Sequence, residues 1–217
     1  MAGVEYSIYF TAPSVGLNTI NLLKAPTTLV GVMFDAPYLG IVIDAVRTAY
    51  IPNAGQIGIS TPIIKTHFRF EGLQMNVVFP NAGMIGVLYF GTPTSDSVPL
   101  EAYCGIAQTL SYSNSGTSAT NTIVSATFQF PQGNIRLTGI AYIPNDQNDA
   151  YDIWSFTTAG GLLIQGFGVG QLMAQGKPDV VPLNDIFTAQ SLTITVNMFS
   201  VKASSTHSIV LIAYYRF

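Results

Sequence analysis

The segment from Ser191 to Phe217 limits what this chain can fold into more than any other. Its first arm alternates Leu192, Ile194, Val196 and Met198 with Thr193, Thr195 and Asn197. Successive side chains of a strand point to opposite faces, so this arm buries one face and wets the other. A polar loop, Ser200 to Thr206, leads to the second arm, which carries Ile209, Leu211, Ala213 and Tyr215 on one face. Val210, Ile212 and Tyr214 line the opposite face. A strand apolar on both faces is covered on both, either deep in a sandwich or under a neighbouring molecule. The second alternative makes Val210, Ile212 and Tyr214 the expected subunit interface.

Upstream, short apolar or alternating runs recur with turn signals every ten residues or so. Strands are expected at Val4 to Phe10, Leu29 to Phe34, Ile63 to Phe79, Met84 to Phe90, Thr122 to Phe130, Asn134 to Ile143, Tyr151 to Thr157 and Leu162 to Met173. Ile41 to Tyr50 reads as strand on its β-branched content. Two turns share one chemistry, Pro52-Asn-Ala-Gly55 and Pro80-Asn-Ala-Gly83, with proline presetting φ at entry and glycine supplying a positive φ on exit. The likeness ends after a few residues, so it does not mark a duplicated unit. Ser111 to Asn121 reads as a long exposed loop, and Val181 to Thr188 as a single helical turn. No long amphipathic helix is visible. The expectation is all-β: an antiparallel sandwich or barrel of 8–11 strands, forming one domain over residues 1–217.

Composition narrows the function. Charged residues are 9% of the 217, against about 25% in an ordinary soluble domain, while mean hydropathy is +0.40. Such a surface suits burial against other subunits, where charges are costly to desolvate, or exposure to acid. A net charge of -3 argues against coating nucleic acid by charge alone. The single Cys104 excludes an intrachain disulfide and reads as a small buried apolar residue. No secretory signal and no apolar run long enough for a spanning helix is visible.

Few residues invite chemistry. Lys65, His67 and Arg69 share one strand face, which reads as a solvated row or as a face toward an anionic partner. His207 opens the last strand and reads as structural. Asp146, Asp149 and Asp152 fall within seven residues, a spacing of oxygen ligands that suits calcium, but Ala150 and a missing bend glycine break the loop pattern. Gly160 to Gly170 lacks the strand–helix context of a dinucleotide loop and reads as a strand with one bare face. No Gly-x-Ser-x-Gly elbow occurs, although a triad is spatial and needs none. Neither catalysis nor a cofactor is expected.

The row Ile209, Leu211, Ala213, Tyr215 and Phe217 resembles the closing strand of outer-membrane β-barrels, but its opposite row is apolar where a lumen would be polar. Strand count, low charge, polar loops and the apolar last strand together resemble viral single jelly-roll capsid or vertex proteins. The low charge is most similar to those of viruses, archaeal ones among them, from hot acidic habitats. That resemblance implies that the sandwich is a single jelly roll, with a virion location and self-assembly without catalysis. Its partners are further copies and other virion proteins, and the Lys65–His67–Arg69 face is turned to nucleic acid or an inner membrane. Two other classes stay open: an extracellular filament subunit, and a carbohydrate-binding sandwich. The latter would stack sugars on Trp154, Tyr151 and Tyr112 in exposed loops, with Asp149 or Asp152 taking hydroxyls.

Overall fold

The computed structural model describes residues 3–53, 63–95, 98–117, 120–131, 135–144, 146–159, 161–169, 179–187 and 190–217. Within them lie sixteen strands: β1 (Val4–Thr11), β2 (Gly16–Asn21), β3 (Thr27–Phe34), β4 (Tyr38–Val42), β5 (Thr48–Pro52), β6 (Ile64–Phe70), β7 (Gln74–Phe79), β8 (Ile85–Gly91), β9 (Cys104–Asn114), β10 (Thr120–Gln129), β11 (Ile135–Pro144), β12 (Asp152–Thr158), β13 (Gly161–Gly168), β14 (Asp179–Phe187), β15 (Ser191–Ser200) and β16 (Ser205–Arg216). Two short 3-10 turns, Leu100–Tyr103 and Gln147–Tyr151, interrupt them. Among the described residues no helix is long and apolar enough to cross a membrane.

The all-β antiparallel sandwich expected from the sequence is what the chain adopts, and its strands are wrapped by a simple rule. In the first half β1 pairs β8, β2 pairs β7, β3 pairs β6 and β4 pairs β5. This is one long hairpin folded over on itself. The extra pairings β3·β8 and β4·β7 close it into two four-strand layers, the jelly-roll arrangement. The second half repeats every step eight strands later: β9·β16, β10·β15, β11·β14 and β12·β13, closed by β11·β16 and β12·β15. The jelly roll expected once therefore occurs twice, with sixteen strands in place of 8–11. One eight-stranded sheet, in the order β14-β11-β16-β9-β5-β4-β7-β2, runs through both halves. The sheets β1-β8-β3-β6 and β10-β15-β12-β13 each form the second layer of one sandwich.

Several boundaries moved for identifiable reasons. The run Ile41 to Tyr50 is a hairpin, because the Asp44 carboxylate accepts the backbone N–H groups of Val46 and Arg47 and folds the chain back. The expected loop from Ser111 is strand as far as Asn114, and the expected helical turn at Val181 to Thr188 lies in β14 as far as Phe187, with Thr188 outside the described residues. Gly83 has the positive φ expected of it, 77°, and donates its N–H to Ala12. Gly55 lies outside the described residues, as does the expected strand beyond residue 169.

Among the described residues three apolar clusters hold the molecule together. One fills the first sandwich around Leu29, Phe34, Phe68, Phe79 and Phe90, and another fills the second around Phe128, Trp154, Phe156, Ile194 and Leu211. The third lies on the opposite face of β16. Val210, Ile212 and Tyr214 pack there with Ala141 and Ile143, against Tyr38, Tyr50 and Ala107. Tyr214 donates its hydroxyl to the Tyr50 carbonyl, tying β16 to the first half. The expected subunit interface is thus corrected: Val210, Ile212 and Tyr214 are 1%, 0% and 6% exposed in the isolated chain. Both faces of β16 are greasy because its own molecule covers both.

Candidate functional site

At one end of the second sandwich the interior turns polar. Continued backward, the inward parity of Leu211 and Ile209 reaches His207 and Ser205, and both are buried. Tyr112 and Asn114 of β9 stand opposite them in register. Across the core, β12 turns Asp152 and Trp154 inward, with Asp152 paired to Ser200 of β15. The turn Gln147–Tyr151 supplies Asp149. Asp146 caps that turn by accepting from the Asn148 N–H, while Asp149 Oδ2 accepts from the Asp146 N–H, a reciprocal capping box.

These elements converge on the His207 imidazole. Its ring stacks on Tyr112 with centroids 4.5 Å apart. Nε2 lies 2.5 Å from Ser205 Oγ and 3.2 Å from Ser200 Oγ. Nδ1 lies 3.1 Å from Asp152 Oδ2 and 3.4 Å from Asp149 Oδ1, yet it makes no hydrogen bond in acceptable geometry. Asp152 Oδ2 accepts from the Tyr112 hydroxyl and from Trp154 Nε1, while Asp152 Oδ1 has no hydrogen-bond partner. Asp149 Oδ1 accepts from the Ser208 N–H at 3.1 Å. Burial holds the imidazole pKa below its ordinary value, against the upward pull of Asp152 and then Asp146. Burial and the Asp152 carboxylate push the Tyr112 phenol far above its usual range.

Ser205, His207 and Asp152 lie in the order of a hydrolytic triad without its hydrogen bonds, since the Ser205 hydroxyl donates to the Lys202 carbonyl at 2.9 Å and Nδ1 makes none to Asp152. All three are buried, with Ser205 7%, Asp152 2% and His207 0% exposed.

The structure places the other expected residues as follows. Asp149 and Asp152 meet, but Asp146 caps the turn and His207 takes the third place that the sequence had given to it. Lys65, His67 and Arg69 do form one exposed row on β6, at the edge of its sheet. Arg69 is paired to Glu71 at 2.6 Å. The sugar-stacking set is corrected: Trp154 and Tyr112 are interior because their strand parity matches the core, and Asp149 and Asp152 are buried with them. Of that set only Tyr151 is exposed, with the Lys202 ammonium 5.1 Å over its ring.

A second feature is the outer face of the β10-β15-β12 layer. In register, Asn121, Phe199 and Ile153 form one rung, Ile123, Asn197 and Ser155 the next, and Ser125, Thr195 and Thr157 a third. Thr127 and Thr193 follow, then Gln129 and Ser191. Hydroxyls bond across the strands, Ser125 to Thr195 at 3.2 Å and Thr127 to Thr193 at 3.0 Å. None of these thirteen outward residues carries a charge. The outer face of the other layer has an apolar rung, Tyr9, Val87 and Met33, with Ile85 beside it and Tyr9 79% exposed.

No protein-family model and no curated protein sequence matches the chain. Among solved structures, the chain is similar to the major capsid protein P2 of bacteriophage PM2, with a TM-score of 0.38, 8% identity and 98% of each chain covered. Discoidin II from Dictyostelium discoideum has a TM-score of 0.25 and 10% identity, over 97% of this chain and 81% of that one. A fucolectin from striped bass, Morone saxatilis, has a TM-score of 0.23 and 12% identity, over 97% and 86%.

Proposed function

We propose that the chain is a structural, self-assembling subunit of a virion shell, without catalytic activity. The observation that carries this reading is the uncharged outer face of the β10-β15-β12 layer. A surface that stays in water gains solubility from charge, whereas a surface buried against a partner is better without it. Some of the charges elsewhere pair locally, Glu5 with Lys24, Asp44 with Arg47 and Arg69 with Glu71.

Magnitude favours many contacts over one. Three strands of up to ten residues present roughly 400 Å² at about 3.3 Å per residue and 4.8 Å per strand. A standard interface takes about 800 Å² from each partner. One face is therefore about half of what a stable contact needs, and the exposed Tyr9 and Ile85 of the other layer supply a second. Two dissimilar faces on one chain allow heterologous contacts, which close into rings or propagate openly instead of stopping at a dimer.

The test is assembly of the purified chain, followed by light scattering behind size exclusion and by negative-stain imaging. Closed or extended bodies are expected. Ile123→Asp and Thr193→Lys, both on the exposed face, should abolish them while leaving the far-UV spectrum unchanged. A monodisperse monomer at all concentrations, or assembly indifferent to both substitutions, overturns the reading.

A further inference from the structure

We propose that His207, Asp149 and Asp152 form a buried site for one divalent metal ion of the zinc class, bound by His207 Nδ1 and the two carboxylates. The three residues each offer a ligand atom, all within 4.8 Å of one another. The distances from Nδ1 to the carboxylate oxygens, 3.1 and 3.4 Å, match the roughly 3.3 Å edge of a tetrahedron built on bonds of about 2.0 Å.

An unpartnered atom at the centre of this spacing points to the ion. His207 Nδ1 faces both carboxylates, is fully buried and has no hydrogen-bond partner, which is costly for a polar atom unless something fills the gap, and Asp152 Oδ1, the second oxygen of a ligand carboxylate, has none either. The Ser205 hydroxyl donates to the Lys202 carbonyl at 2.9 Å, so the short contact to Nε2 is satisfied by an imidazole N–H on that side. That tautomer leaves the Nδ1 lone pair facing two carboxylates. A proton there would balance one of the two buried negative charges, whereas a divalent cation balances both. The outer partners are those a metal site requires: Ser205 orients the imidazole, Tyr112 and Trp154 hold Asp152, and the Ser208 N–H holds Asp149.

The imidazole ligand selects the metal. Calcium takes oxygen ligands alone, whereas a nitrogen with two carboxylates suits zinc, cobalt or manganese. The ion would join β16 of the large sheet to β12 and its preceding turn in the covering layer, closing that end of the second sandwich.

The experiment uses the full chain, stripped with chelator and then titrated with Zn²⁺. About one equivalent should bind, and zinc at a hundredfold excess over its dissociation constant should raise the melting temperature by about 5–10 °C. Co²⁺ in the unmutated chain should give the visible absorption of a low-symmetry four-coordinate site, a readout independent of whether variants fold. His207→Gln and Asp152→Asn should lose the equivalent. Asp146→Ala, which removes only the cap, should keep it. Absence of binding and of any thermal shift overturns the proposal, as does stabilisation by Ca²⁺ but not Zn²⁺. Loss of the ion in Asp146→Ala as full as in Asp152→Asn also overturns it, since the turn alone would then be the site.

Discussion

Tyr112 shows how much one side chain can settle. It covers the His207 ring with its own and fixes Asp152 with its hydroxyl, so it belongs at once to the packing and to the polar network. Tyr112→Phe keeps the ring and removes the donor to a buried carboxylate. The expected cost is about 1.5–3 kcal/mol, the worth of a hydrogen bond to a charged group, read from urea denaturation. Tyrosine also governs the alkaline limit. Burial pushes Tyr50 up to about 12 and raises Tyr112, Tyr214 and Tyr215 further. Below pH 10, the ordinary phenol value, folded and unfolded chains hold these protons equally. Above it the unfolded chain releases them and the folded one does not, so stability falls as pH rises from 10 towards 12 and beyond. Absorbance of tyrosinate should therefore show Tyr112, Tyr214 and Tyr215 ionising only together with loss of near-UV dichroism.

Strands in this fold depend on close approach as much as on apolar content. A Cβ built on Gly86 of β8 would lie 2.5 Å from Phe10 Cζ and 2.6 Å from the Met33 carbonyl oxygen. Gly86→Ala should therefore destabilise by about 1–3 kcal/mol, since both the ring and the β3 backbone must shift, and a shifted urea midpoint at constant slope would register it. Parity made much of the rest legible. Alternation placed Leu192 to Met198 on the core face, put Lys65, His67 and Arg69 in one exposed row, and already contained His207 and Asp152 as inward positions. What hid the polar site was residue type. Ser111, Ser113 and Asn114 look like loop, yet the strand continues as Tyr112 finds the buried Asp152 carboxylate across the sandwich and Asn114 donates to the Lys202 carbonyl. The strand count failed at hairpins turned by Asp44 instead of by glycine or proline. The doubling failed to show because the two halves share a wrapping path and no residue pattern.

At the scale of the molecule, the third cluster decides whether two sandwiches behave as one body. Ile212 is wholly buried among residues of both halves. Calorimetry of the intact chain should give a single transition, and Ile212→Ala, at a cost of about 2–5 kcal/mol, should separate it into two. The uncharged rungs of the β10-β15-β12 layer carry a different consequence. Ions in solution act on charges, and here there are none to screen. Adhesion through hydroxyls, amides and scattered aliphatic groups would hold as firmly in dilute buffer as in brine. A container closed through that layer would feel neither a change of ionic strength nor the arrival of acid.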